Sequence, residues 1–175
     1  VYVQEYSKGA PAAPVAEGNG WSSILMIVLM FGILFVFNFY GVYQQNHNAH
    51  AYRDKVANLI ENYDVRHFVS GMAIGVDMIA AEVVLEVKNQ YSDITLECAV
   101  PCEVQPLKWS DKYKSRYYRI LELADTKTIL QPDYTADCMH KRNCYMVDKS
   151  DFVIAVWNGS PSGTGKTVIY AKERN

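Results

Sequence analysis

The sequence predicts an α/β protein with a mainly parallel sheet and helices on both faces, preceded by a hydrophobic amino-terminal segment. Two observations carry the α/β part. From residue 51 onward short apolar runs alternate with amphipathic stretches, and two of those runs end in glycine loops that open onto helices, at Ser70–Asp77 and Asn158–Gly165. The third observation is the run Ile24–Tyr43, uncharged and with only Asn38 strongly polar.

The elements follow in order. Helix signals occupy 51–63, 76–90, 108–124, 137–148 and 165–174, and strand signals 65–70, 94–100, 126–130 and 151–157. Strands separated by helices of this length imply right-handed crossovers and a parallel sheet. In such a sheet ligands sit beyond the carboxyl ends of the strands, which is where both glycine loops fall.

Composition bounds the function. A chain of 175 residues, half hydrophobic, has room for one domain with a proper core. Seventeen basic residues against 19 acidic ones, with no basic run, give no electrostatic footprint for duplex nucleic acid. The four cysteines, Cys98, Cys102, Cys138 and Cys144, form no C-x-x-C pair and read as reduced, partly buried thiols. Cys138, His140 and Cys144 lack the fourth ligand that a zinc site needs, so no metal and no cofactor is expected.

The amino-terminal third is a separate object. Residues 1–20 form a lead whose Ala/Pro/Gly-rich part, Gly9–Gly20, has no periodic pattern and is expected to be a flexible tether. The run at 24–43, within a candidate transmembrane helix over 21–45, is long enough to span a bilayer, and Trp21, Tyr40 and Tyr43 bracket it as interfacial aromatics do. It lacks the basic leader and cleavage site of a signal peptide. Lys8 on one side against Arg53, Lys55 and Arg66 on the other places a cytoplasmic domain after an inner-membrane anchor. The alternative is that Phe35–Tyr40 supplies a buried first strand, which periodicity alone does not distinguish from part of a membrane helix.

Candidate ligand residues cluster at the loops. Ser70, Gly71 and Gly75 shape the first, where glycine lets backbone N–H groups and a helix amino terminus approach a phosphate. Asp77 is placed to cap that helix or to bind a ribose hydroxyl, and Glu82 lies five residues further on. Pro101 and Glu103 follow a strand at the ligand edge. Trp109, Tyr117 and Tyr118 suit a wall for a base, or core packing at helical spacing. Arg142 offers a bidentate fork for phosphate and Asn143 a matched donor and acceptor. Asn158, Gly163, Thr164 and Gly165 form the second loop. Gly163–Thr167 is not a phosphate-binding P-loop, because Ser160 stands where that motif requires glycine; it reads as an anion-binding helix start.

Ser70–Asp77 with Ala80-Ala-Glu82, Cys98–Glu103, Trp109-Ser110, Tyr117-Tyr118, Lys141-Arg-Asn143, Tyr145–Asp148, Ser150-Asp151, Ala155–Gly159, Gly163–Gly165 and Thr167-Val168 together resemble the YpsA-like branch of the SLOG superfamily over residues 50–174. The resemblance implies a Rossmann-like domain that binds or senses a nucleotide or nucleotide-derived small molecule. Family members open with a strand ending in a Thr-Gly-His-Arg-like loop, and no such motif precedes Tyr52. Related LOG enzymes cleave a nucleotide N-glycosidic bond with a Glu just after their Gly-Gly-x-Gly-Thr loop; Gly165, Lys166, Thr167 and Val168 stand there instead. Residues 10–45 are similar to the start of the translocon-associated YajC family. The expected function is a nucleotide-sensing module, more a binder than an enzyme, with a LOG-like hydrolase or an export-associated membrane subunit as alternatives. Expected partners are a nucleotide-like small molecule, a membrane through 24–43 and a second copy of the chain. A start at Val1 without methionine and an end before the final expected strand suggest a fragment or a fusion.

Overall fold

The computed structural model describes residues 49–174. The anchor expected over 24–43, the alternative strand over 35–40 and the tether all lie outside these residues. Among the described residues no helix is long and apolar enough to cross a membrane.

The described chain is α/β, a three-stranded parallel sheet flanked by helices. A helix α1 over 49–63 leads into β1 (His67–Ser70). Then come α2 (Val76–Val87), β2 (Thr95–Val100), α3 (Asp111–Leu123), β3 (Thr126–Ile129), α4 (Cys138–Asp148) and α5 (Gly163–Arg174). The strand order is β1-β2-β3, with His67 opposite Thr95, Ser70 opposite Cys98, and Glu97 opposite Thr126.

Strand alternation decides what each face meets. Leu96, Cys98 and Val100 of β2 join the main core with Tyr52, Val56 and Ile60 of α1, Met78, Ala81 and Val84 of α2, and Tyr117 and Ile120 of α3. Burial holds the Cys98 thiol protonated, its pKa pushed up to about 12. Glu97, on the opposite face, accepts hydrogen bonds from Thr128 (2.6 Å) and from Tyr145 of α4 (2.6 Å), and pairs with His67 (3.0 Å). Burial pushes its pKa up, but these three bonds and the nearby Lys149 prevail and hold it below its ordinary value.

One expected element is absent. Residues 151–157 read as a strand in sequence, yet among the described residues they make no ladder, and Phe152, Val153 and Val156 are exposed. A strand exists only through its partner's backbone groups, and no described strand lies beside this segment. Ile154 alone of it packs on the core.

Candidate functional site

The first glycine loop is bound to the rest of the domain by long-range polar contacts. Ser70 ends β1, and its hydroxyl donates to the Asp77 carbonyl (2.8 Å). Met72 follows with φ 58°, a left-handed conformation for a residue with a side chain, and it is fully buried. That conformation costs about 1–2 kcal/mol, which the surroundings must sustain. They do so through Ser70 Oγ, which accepts from the Met72 N–H (3.4 Å), and Gln105 Nε2, which donates to the Met72 carbonyl (3.3 Å).

Gly75, at φ 106°, then starts α2. No side chain caps this helix, and the N–H groups of Val76, Asp77 and Met78 have no acceptor among the described residues. Free donors there, aligned with the helix dipole, favour an anion. Asp77 does not cap the helix, as the sequence suggested it would; its Oδ2 accepts from the Ala73 N–H (3.2 Å) and meets Arg142 (3.0 Å).

Arg142 comes from α4, one residue before Asn143, and is 5% exposed. Its Nη1 donates to the Gly71 carbonyl and to Asp77 Oδ2. Among the described residues its buried Nε has no hydrogen-bond partner, and neither has the buried Gln105 Oε1. The guanidinium expected to face phosphate is therefore partly committed to the protein: it clasps α4 to the β1–α2 loop. It also explains Gly71, where a Cβ would meet the guanidinium and lie 2.8 Å from Asp77 Oδ2.

The second loop is built differently. Asn158 Oδ1 accepts from the Ser160 N–H (3.0 Å) and hydroxyl (2.6 Å), and Trp157 Nε1 donates to the Ser160 carbonyl (2.6 Å). Ser162 Oγ accepts from the Gly165 N–H (3.1 Å), so α5 is capped from within the loop. Gly163 and Thr164 are exposed; Gly165 is buried under the Trp157 ring, 3.1 Å from where its Cβ would stand. Asn143 Nδ2 donates to Thr167 Oγ1 (2.8 Å), joining α4 to α5.

The structure thus brings Ser70, Gly71, Asp77 and Arg142 into one cluster at the carboxyl end of β1, with Gly75 in the same loop and Asn143 alongside on α4. Ser70, Gly71, Asp77 and Thr167 line one cavity of about 510 Å³. Pro101 is buried after β2 and Glu103 is exposed, its N–H donating to the Pro132 carbonyl (3.2 Å); neither touches the cluster. Glu82 is taken by Arg116 (2.6 and 2.8 Å) and Arg119 (3.2 Å), and Trp109 and Tyr117 pack edge to face at 5.3 Å against the core. Gln105 was not among the residues the sequence singled out; an amide in the turn after Pro101 was the available signal. Tyr52 Oη is pushed up to about 12 by burial and by Asp77, so it remains a phenol beside the cavity.

Comparison with known proteins gives one family. The YpsA family model, described as the YspA SLOG family, matches residues 40–174. YoqJ, an SPbeta prophage-derived protein of Bacillus subtilis, is 31% identical over 137 residues, covering 69% of this chain and 80% of YoqJ. UPF0398 protein BH1768 of Halalkalibacterium halodurans is 30% identical over 133 residues, 70% of each chain. A UPF0398 protein of Bacillus thuringiensis is 28% identical over 141 residues, 77% of this chain and 76% of its own.

Proposed function

The chain belongs to the YspA SLOG family, and from that premise we propose that it is a binding module of Rossmann-like type whose β1–α2 loop receives a nucleotide or nucleotide-derived small molecule. The observation that carries this reading is the uncapped amino terminus of α2 at the end of a parallel strand, beside a buried arginine whose Nε has no partner among the described residues. Three N–H donors and the helix dipole offer a phosphate subsite. The strained Met72 carries the same reading, since a left-handed residue held by two side chains is a conformation the fold maintains at a cost.

Arg142 supports this subsite by donating through Nη1 to the Gly71 carbonyl and to Asp77 Oδ2. Thr167, held by Asn143 and facing the same cavity, brings the start of α5 within the site. Binding and sensing are favoured over N-glycosidic hydrolysis. The first turn of α5 carries no acidic residue, and the Asp77 carboxylate is already paired with the Arg142 guanidinium through Oδ2, which weakens it as a stabiliser of a developing oxocarbenium charge.

A thermal-shift series on the full chain with AMP, ADP-ribose and NAD tests the reading. A ligand present at a hundred times its dissociation constant adds about 2.7 kcal/mol to stability, a rise of several degrees in Tm. An unchanged Tm with all three, at millimolar concentration, contradicts a nucleotide site.

A further inference from the structure

We propose that Gln105 is the positioning residue of the β1–α2 loop: its side-chain amide holds Met72 in the left-handed conformation and so keeps the loop in the form that takes a ligand. The second half of this statement rests on the nucleotide reading above, and the first half does not.

Two successive peptide planes of this loop are each held at both ends by side chains. In the plane between Gly71 and Met72, the carbonyl accepts from Arg142 Nη1 and the N–H donates to Ser70 Oγ (3.4 Å). In the plane between Met72 and Ala73, the carbonyl accepts from Gln105 Nε2 (3.3 Å) and the N–H donates to Asp77 Oδ2 (3.2 Å). Met72 lies between the two planes at φ 58°. Fixing both planes fixes the dihedrals of the residue between them, and here φ is held where a residue with a side chain rarely stays.

Of these four holds, Gln105 is the one that can be removed without disturbing the others. Asp77 and Arg142 pair with each other (3.0 Å), and the Ser70 hydroxyl also donates to the Asp77 carbonyl (2.8 Å), so each of the three serves more than one bond. Gln105 is 8% exposed, and its side chain makes one bond among the described residues, to Met72, with Oε1 left unmatched. It reaches the loop from the turn after β2, where its own N–H donates to the Cys102 carbonyl (3.2 Å). Burying an amide with an unmatched oxygen is costly, and the one contact it secures is the carbonyl of the strained residue.

The consequence for a ligand lies just downstream. Met72 is followed by Ala73, Ile74 and Gly75, and then by the N–H groups of Val76–Met78, which have no acceptor among the described residues. Relaxation of Met72 to negative φ would rotate the next peptide plane and turn the Ala73 N–H away from Asp77. The direction of the open donors therefore depends on the conformation of Met72, and a preorganised site loses affinity when its donors must be reset on binding.

NMR on the full chain tests this with Gln105→Met, which keeps the length of the side chain and removes the donor. Positive φ brings the Met72 Hα close to its own amide proton, so a strong intraresidue Hα–HN NOE is expected in the wild type. The variant is expected to fold and to lose that strong NOE. It should bind whichever of AMP, ADP-ribose and NAD raises the wild-type Tm most about 10-fold or more weakly, the worth of one hydrogen bond. Gln105→Glu is the rescue, since a carboxylic acid donates to the Met72 carbonyl when protonated and cannot when ionised. Burial favours the protonated form, so from about pH 5 to about pH 8 this variant should lose both the NOE and its affinity while the wild type keeps both. The titratable and charged groups about the loop and the turn, Asp77, Arg142, Cys102, Glu103 and Cys138, are common to both proteins, so the difference reports position 105. A merely structural residue would move stability alone. A strong Met72 NOE in folded Gln105→Met, its loss with affinity unchanged, or a Gln105→Glu with the pH profile of the wild type each overturns the proposal. So does failure of both variants to fold, which would make Gln105 a support of the core. A wild type that shows the NOE and binds none of the three nucleotides overturns the nucleotide reading instead, and the NOE in Gln105→Met then decides the hold on Met72 by itself.

Discussion

The two glycine loops share a grammar and differ in what holds them. Each follows an apolar run, turns through glycine and opens a twelve-residue helix. The first is held from afar: Arg142 reaches it across 65 and 71 residues of sequence and Gln105 across 33. The second is held by its own neighbours, through Asn158, Ser160 and Ser162, all within four residues. The helix after the first is uncapped, and the helix after the second carries a serine cap. Local chemistry suffices to make a turn, but a preorganised site with free donors needs partners from elsewhere in the fold.

Gly71→Val should break that contrast most severely. Its branched side chain would collide with the Arg142 guanidinium and the Asp77 carboxylate, combining overpacking with loss of a buried ion pair, at about 4 kcal/mol or more. Denaturant unfolding reads this, and a midpoint near the wild type would mean that Arg142 does not clasp the loop. Gly163→Ala is the control, with nothing within 4 Å of its Cβ; it should stay within about 1 kcal/mol of the wild type, since glycine at this helix start meets no steric demand.

Arg142→Ala should cost about 2–4 kcal/mol, because the half-buried Asp77 carboxylate and the Gly71 carbonyl lose their donor. A purely phosphate-facing arginine would instead leave stability unchanged and weaken only binding, so unfolding and titration on the same variant separate the roles.

Glu97→Gln extends the comparison to the opposite sheet face, with an expected loss of about 1–2 kcal/mol at neutral pH. Glu97 has a folded pKa below its ordinary value of 4.5. Its contribution is therefore complete above that value and is lost as the pH falls through the lower, folded one. The Tm gap between wild type and variant should narrow as the pH falls below 4.5, and a gap independent of pH would show that ionisation of Glu97 contributes nothing. Asn143→Ala is the smallest of these, about 1 kcal/mol, for its single bond to Thr167.

Much of the fold was legible because it is written locally. The alternation of apolar runs with helical stretches located β1, β2, β3 and the helices between them to within a few residues. Residues 151–157 were not legible as they stand, since a strand-like sequence states a capacity and the ladder depends on a neighbour. At the site, glycine spacing marked the loop, and the sequence singled out Arg142 as a fork for phosphate. Its engagement with Gly71 and Asp77 was not visible, because no local pattern encodes a contact across 65 residues. Glu97 did carry a signal, a lone carboxylate in the apolar strand Thr95–Val100, and Gln105 a weaker one in the turn after Pro101.

On the proposed reading the loop tied to α4, rather than the self-capped loop, is the principal ligand subsite. Backbone amide shifts of the ¹⁵N-labelled full chain, followed while it is saturated with whichever nucleotide raises Tm most, test it directly. The largest displacements are expected over Gly71–Met78, where free N–H donors would meet phosphate, with smaller ones at Gly163–Thr167. Largest displacements on α3 or β3, with Gly71–Met78 unmoved, would contradict it.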